Sequence, residues 1–276
     1  MAIIINTNVA SLSAQKNLGY SQSKLSESFN RLSSGLRINS AKDDAAGLAI
    51  SESLTSQIRS FSVAERNAGD GISLAQTAEG SLGEIHGVLG RMREIATQAA
   101  NGTLNETDRD FLQAEFNALQ SEIGRIQESA KFNGRQLVGT TAATVTLQVG
   151  LDDVSSDQIS ISLGGVSLST VRGNGTGVAG SGASSALASL ATIDAAIQEV
   201  SSARSGFGAT MNRLEVATNN IRTMRINLSA ANSRIRDVDV ASETAALSRN
   251  QVLSQAGVSV LTQANQLPQL ALSLLG

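Results

Sequence analysis

Apolar side chains recur at alternating intervals of three and four residues over most of this chain, which is the spacing of helices that pack through a coiled-coil seam. The N-terminal seam contains Leu25, Phe29, Leu32 and Leu36. The C-terminal seam contains Leu253, Val260, Ala264, Leu267, Ala271 and Leu274, and residues 250–276 carry no charged side chain. Such apolar, weakly charged helices predict that both termini complete their burial inside an assembly.

Three further seams predict helices in the interior of the chain. They cover residues 54–99, with one slip after Ala75, then residues 112–130 and residues 190–235. Glu65, Arg204 and Arg225 interrupt the seams without changing their period. The run from Ser40 to Asp43 is an N-cap pattern that predicts the start of the first of these helices.

A stretch between the helical seams changes to a period of two. Val145, Leu147 and Val149 alternate with polar residues, and so do Ile159, Ile161 and Leu163. This alternation predicts an antiparallel hairpin that turns across residues 152–157. Residues 173–185 are rich in Gly and Ser and predict a loop. The expected fold is therefore mainly α, with long coiled-coil helices and a small β-hairpin region in the middle.

Composition narrows the classes of function. The 276 residues include no Cys, no Trp, one His and one Pro, and aromatic residues make up only 3%. The lack of Cys excludes disulfides, thiolate catalysis and zinc sites of the usual kind. A net charge of −3 and a pI of about 5.3 argue against a nucleic-acid partner. The uncharged C-terminal stretch contains too many Gln and Asn residues for a membrane span, and the first residues do not resemble a secretory signal.

Candidate chemistry in the sequence is weak. The glycines of residues 175–180 match a dinucleotide-binding pattern, but the preceding strands are not part of a βαβ unit, so a flexible loop is the better interpretation. His86 has no second His and no Cys to share a metal with. The adjacent carboxylates Asp43-Asp44 and Asp152-Asp153 have no acid–base partner. We expect no catalytic residues, no cofactor and no metal.

Long motifs in both halves of the chain resemble those of bacterial flagellin, the subunit of the flagellar filament. The most specific are Ser33-Ser34-Gly35-Leu36-Arg37-Ile38-Asn39-Ser40 in the N-terminal half and Gln263-Ala264-Asn265-Gln266 in the C-terminal half. Residues 5–8, 66–73, 208–215 and 233–239 match as well. Together the resemblance covers residues 1–140 and 187–276.

The resemblance implies a domain organisation. Residues 1–43 and 234–276 would pair as the terminal coiled coil that forms the inner filament core. Residues 44–233 would form a helical rod, with a β-hairpin near residues 140–172 and the Gly/Ser loop at 173–185. The middle is too short for large outer domains, so the resemblance is to a short flagellin with a smooth filament surface.

The same resemblance implies function and partners. The chain would be a structural protein, not an enzyme, that polymerises with itself into an extracellular filament for swimming. Export without a cleaved signal peptide, a chaperone for the C-terminal helix, a filament cap and hook-associated proteins are expected. A hook–filament junction protein of the same family is the alternative, since it shares the paired-arm design.

A vertebrate innate immune receptor is a further partner that the resemblance implies. The matching positions are Leu89, Arg91, Arg93, Ile95 and Glu115. Gly90 stands where many recognised flagellins have Gln, which is a departure from the pattern. The same charged positions also suit a contact between subunits.

Overall fold

Helices account for most of the computed structural model, which describes residues 7–173, 176–179 and 183–273. The helices are α1 (Val9–Ser34), α2 (Ala45–Ala99), α3 (Glu106–Ser129), α4 (Ser169–Arg172), α5 (Ser184–Arg236) and α6 (Val240–Ser273). Two antiparallel strand pairs follow α3 in the chain: β1 (Lys131–Phe132) with β2 (Arg135–Gln136), and β3 (Ala143–Gln148) with β4 (Gln158–Leu163). The predicted fold class is confirmed.

The chain divides into two compact units. The terminal unit combines Met1–Ser56 with Asn227–Gly276, and the central unit is Gln57–Ile226. These boundaries lie within α2 and α5, so both helices contribute residues to both units. The domain boundaries expected at residues 43 and 234 stay a prediction.

The terminal unit is built on an antiparallel pair of α1 and α6. At one end, the Asn8 side-chain amide donates to the Ala264 carbonyl at 2.8 Å, and Ser11 Oγ donates to Asn265 Oδ1 at 2.7 Å. Small side chains let the helices approach closely: a Cβ added to Gly257 would lie 3.3 Å from Leu18 Cδ1. The contact face therefore consists largely of small and polar side chains rather than large apolar ones.

The other end of this pair is closed by backbone and side-chain hydrogen bonds. Gly35 adopts φ 71°, a left-handed conformation that suits glycine and ends α1. The next residue, Leu36, bridges to Asp237 in antiparallel fashion. The Arg37 guanidinium donates to the carbonyls of Arg234 and Ile235 at 3.3 and 2.6 Å, which satisfies acceptors at the end of α5.

The start of α2 differs from the sequence prediction. The Asp43 carboxylate accepts from the Ser40 and Asn39 amides at 2.9 and 3.2 Å, and these bonds stabilise a turn that precedes the helix. The cap is Asp44, whose Oδ1 accepts from the Gly47 amide at 2.9 Å. The predicted start at Ser40 was therefore four residues early, because the Ser–Asp pattern serves a tight turn as readily as a helix.

The core of the central unit follows the predicted seams. On α2 the seven seam residues of the second stretch are fully buried: Ala78, Leu82, Ile85, Leu89, Met92, Ala96 and Ala99. Phe116 and Ile123 of α3 and Ile193, Val200 and Leu214 of α5 are also buried. Arg109 is buried as well, and its guanidinium donates to the Ala99 and Asn101 carbonyls at 3.0 and 3.1 Å, which closes the end of α2.

The predicted β3–β4 hairpin packs against α2 at a glycine. A Cβ on Gly71 would overlap with Leu147 Cδ1, and nearby the Asn67 side-chain amide donates to the Gln148 carbonyl at 3.0 Å. The turn between the strands is closed by Asp157, whose carbonyl accepts from the Val149 amide at 2.8 Å and whose carboxylate accepts from the Asp152 amide at 2.9 Å.

The β1–β2 hairpin was not predicted. Its turn residues Asn133 and Gly134 have φ values of 49° and 77°, the left-handed conformations of a tight two-residue hairpin turn. The dipeptide Asn-Gly carries this signal, but strands of two residues are too short to show any alternation. From the helical spacing that precedes them, these residues predict only the end of a helix.

The Gly/Ser loop is more anchored than its composition suggests. Residues 176–179 have no regular secondary structure, and α5 begins at Ser184, so the last two residues of the predicted loop are helical. Thr176 and Val178 are nevertheless buried, and Thr176 Oγ1 donates to the Thr170 carbonyl. This segment is therefore part of the packed central unit.

Two neighbouring glycines of α2 provide a matched test of hairpin packing. Replacing Gly71 by Ala should lower the free energy of unfolding by about 1–3 kcal/mol, because the new methyl group overpacks against Leu147. Replacing Gly69, where a Cβ would meet nothing within 4 Å, should raise it by about 0.5–1 kcal/mol through helix propensity. Urea unfolding followed by circular dichroism measures both, and equal effects of the two substitutions would contradict this account of the hairpin contact.

Candidate functional site

The outward face of the terminal helices is apolar. Phe29 of α1 and Leu253 and Val260 of α6 are 53%, 50% and 58% exposed. They are accompanied by other exposed large apolar side chains of these helices: Val9, Leu12, Tyr20, Val240, Val252 and Val258. Large apolar side chains exposed in this number on two helices indicate an interaction site.

The contact between α1 and α6 includes Ala264 of the predicted C-terminal seam, together with small residues that lie outside the predicted N-terminal seam. Ser11, Ala14 and Ser28 of α1 and Ala264 of α6 are buried, whereas Leu25, Leu32 and Leu36 are only half-buried. In α6, Leu253 and Val260 lie beside the residues that face α1 instead of among them. The side chain of Leu267 and all of Leu274 lie outside the described residues. Their role in assembly stays a prediction.

Charge in the terminal unit is concentrated near the closed end of the helix pair. The Glu27 carboxylate accepts from Lys24 at 2.8 Å and from Arg31 at 2.6 Å, and Arg31 also lies 3.7 Å from Glu243. The hydrogen bond from Lys24 and the nearby Arg31 charge lower the pKa of Glu27 below 4.5. Beyond Arg249, α6 carries no charge, so its exposed apolar face has no ionic neighbours of its own.

The central unit presents a second candidate surface on α2 and α3. Arg91 donates to Glu115 at 2.9 Å and to Glu94 at 2.9 Å, and all three side chains are exposed. Of the five predicted receptor positions, Leu89 and Ile95 are 0% exposed and belong to the core of the unit. The solvent-accessible part of this surface is therefore Arg91, Arg93 and Glu115.

Three groups of ion pairs join α2 to α5. Glu65 accepts from Arg222 at 2.7 Å and from Arg225 at 2.6 Å. The other two groups are Glu79 with Arg204 and Arg93 with Asp194, each at 2.6 Å. The hydrogen bond from Arg222 holds the pKa of Glu65 below 4.5, and the hydrogen bond from Arg93 holds the pKa of Asp194 below 3.8. The polar residues that interrupt the sequence seams are thus paired: Glu65 with Arg225, and Arg204 with Glu79.

The structure gives the other chemical candidates little support. The amides of Val178 and Ala179 donate to Gln113 Oε1, and the Gly177 amide donates to Ser189 Oγ, so these groups are already used within the protein. Gly175 and Gly180 lie outside the described residues. His86 is half-buried on α2, and the described part of the chain contains no cluster of three metal-ligating side chains. None of the helices described is both long and apolar enough to cross a membrane.

Comparison with known proteins accounts for the paired terminal helices. Residues 5–143 match the bacterial flagellin N-terminal helical region, and residues 190–275 match the bacterial flagellin C-terminal helical region. The chain belongs to the bacterial flagellin family. A flagellin of Halalkalibacterium halodurans is 45% identical over 276 residues, covering 99% of this chain and 100% of that relative. A flagellin of Bacillus subtilis is 41% identical over 301 residues, covering 98% and 99% of the two chains.

Solved structures agree with this assignment. The Bacillus cereus flagellin crystal structure has a TM-score of 0.50 and 37% identity, and the match covers 60% of this chain and 94% of that one. A chain described as a flagellar hook-associated protein of Vibrio parahaemolyticus has a TM-score of 0.61, covering 71% of this chain and all of that one. At 16% identity the latter shows a shared fold alone.

The function follows from the family. This flagellin is a structural subunit of the helical bacterial flagellar filament, which lies outside the cell and serves motility. The family is structural, not enzymatic, and its members assemble with themselves. The relatives matched over their full length are flagellins, and no finding favours the hook–filament junction alternative.

The stability of the central unit should depend on pH through the α2–α5 ion pairs. Because the folded-state pKa values of Glu65 and Asp194 are lowered, their contribution is present above the ordinary values of 4.5 and 3.8. It is lost as the pH falls through the lower folded-state values. We expect Tm to fall between about pH 5 and pH 3, and the fall to be shallower in Glu65→Gln. Thermal unfolding followed by circular dichroism checks this, and parallel curves for both proteins would refute it.

Proposed function

We propose that this flagellin polymerises through the exposed apolar face of α1 and α6, with residues 1–43 and 234–276 forming the inner core of the filament. The observation that carries the proposal is the exposure of large apolar side chains on α6. Ala264 is buried against α1, whereas Leu253 and Val260 are half or more exposed on a helix that is uncharged beyond Arg249. The large apolar side chains are thus free to contact other subunits.

Energetics support this proposal. Full burial of a Val or Leu side chain contributes about 1.5–3 kcal/mol, so a few such residues on each subunit suffice to drive association. The same contact repeated head to tail generates an open helical polymer. A charge introduced into this face would be buried without a partner, which costs far more than the apolar contact gains.

A pair of substitutions in α6 separates assembly from subunit folding. Val260→Asp should abolish polymerisation and leave the far-UV circular dichroism of the monomer unchanged, because Val260 is exposed in the subunit. Ala264→Asp should disturb the monomer itself, because Ala264 is buried against α1. Electron microscopy after seeding measures filament formation. Normal filaments from the Val260→Asp protein would refute the proposal.

The same apolar face suits the transient partners that the family implies. Before assembly it would expose Leu253 and Val260 to solvent, and a dedicated export chaperone that covers α6 would prevent premature association. A filament cap and hook-associated proteins would meet the terminal helices at the two ends of the polymer. All three would compete with a second flagellin subunit for this face.

We further propose that Arg91, Arg93 and Glu115 form the surface for a vertebrate innate immune receptor. These side chains are exposed and are held in place by ion pairs with Glu94 and Asp194 and with one another. Leu89 and Ile95 support the helix from the core, so they contribute to its position rather than to direct contact.

Two Arg substitutions test the receptor surface. Arg91→Ala should weaken binding of the monomer to the receptor ectodomain by roughly tenfold or more, as expected when an exposed charged group at an interface centre is removed. Arg125→Ala is the control, since Arg125 is also exposed and forms a local ion pair with Glu122. Surface plasmon resonance measures both. Equal affinities for wild type and Arg91→Ala would show that recognition lies elsewhere.

A further inference from the structure

The ion pairs between α2 and α5 are distributed along the helices in a regular way. Glu65, Glu79 and Arg93 follow one another on α2 at intervals of two heptads. Their partners, Arg222 with Arg225, then Arg204, then Asp194, occur in reverse order on α5. The two helices are therefore antiparallel, and each ionic group marks a different level along their axes.

Part of the apolar packing between these helices specifies the level only weakly. Many buried positions of the two helices carry small side chains: Ala64, Ala68, Ala75 and Ala78 on α2, and Ala186, Ser189, Ala196 and Thr218 on α5. Away from the slip after Ala75, a shift by one heptad brings the same faces together again, because the pattern repeats with that period. Small side chains offer little shape difference between one level and the next, so at these positions the ionic groups add to the shape of large buried residues such as Phe61 and Phe207.

The ion pairs do distinguish the levels. Glu215 lies one heptad before Arg222, so a one-heptad shift in one direction would bring Glu215 opposite Glu65. The same shift would place Ile197 opposite Glu79 and Leu187 opposite Arg93. A shift in the other direction would place Met211 opposite Glu79 and Ser201 opposite Arg93. No ion pair re-forms at these levels in either case.

We infer that the three ionic groups fix the axial register of α2 against α5, and that they prevent the two helices from settling one heptad out of line. Polar residues within an apolar seam are the known means of specifying register in coiled coils. These ion pairs lie within one subunit, so their effect on the register does not depend on how the subunits polymerise.

A charge exchange at two positions of α5 tests the inference directly. The pair Glu215→Arg and Arg222→Glu keeps the composition and net charge. In the native register it places the new carboxylate at position 222 opposite Glu65, and it therefore favours the one-heptad shift. The chain has no Cys, so Thr77→Cys and Ser201→Cys, both at exposed positions, provide unique sites for spin labels. Because a heptad rises about 10 Å, the shift changes the distance between these labels measurably.

The expected results concern the distance distribution of the monomer in solution. In the labelled protein that is otherwise wild type, the label-to-label distance should have one narrow population. The exchanged protein should gain a second population at a different distance, because one label is then displaced along the helix axis by about 10 Å. Adding Glu65→Arg and Arg225→Glu to the exchange restores attraction in the native register, because both α5 partners of position 65 are then acidic, and should recover the single population. The control exchange, Glu122→Arg with Arg125→Glu on α3, retains an ion pair within one helix and should change nothing.

One further variant covers the case in which the exchanged protein does not fold. Glu65→Gln with Glu79→Gln removes charge without creating repulsion, and it should broaden the distance distribution while the far-UV circular dichroism stays helical. A single unchanged population in the folded exchanged protein, or in the Gln variant, would show that apolar packing and the hairpin contacts set the register. The measurement uses monomer, so it stands whether or not the apolar face of α1 and α6 drives polymerisation.

Discussion

Close approach of helices through small side chains is the constraint on which this structure depends. Gly257 meets Leu18 where α6 packs on α1, and Gly71 admits Leu147 where the β3–β4 hairpin meets α2. Aromatic residues make up only 3% of the chain, so no cluster of large rings holds either unit together. Contacts between small side chains bury little apolar area per residue. The structure compensates with very long helices and with ion pairs across them.

The sequence predicted the helices well because their signal is periodic and long. The predicted seam residues from Ala78 to Ala99 are all buried, with Ile95 buried beside them, and the β3–β4 alternation also matched. The sequence could not tell which face of α6 meets α1. That helix is weakly charged and apolar on several sides, so the seam pattern included Ala264, which is buried, but also the large side chains of Leu253 and Val260, which are half or more exposed, and it left out Gly257.

The other differences between the sequence predictions and the structure have local causes. The Ser40–Asp43 pattern forms a turn before α2, since the same hydrogen bonds serve turns and caps. Leu89 and Ile95 were grouped with Arg91 because all three match the family's receptor surface, but residues close together on a helix point to different sides, and of these three only the Arg is exposed. Pairing between Glu65 and Arg225 was not predicted, although both were noted as interruptions. Recognising it requires knowing that α2 and α5 are antiparallel neighbours.

The turn between β3 and β4 offers a position for displaying foreign peptides. Asp157 closes this turn with both its carbonyl and its carboxylate, while Asp153, Val154 and Ser155 are exposed. A segment inserted between Asp153 and Ser155 would leave the strand register and the closing hydrogen bonds in place. Since every subunit of a filament carries one such turn, a single insertion would be presented as a regular array at the spacing of the helical lattice.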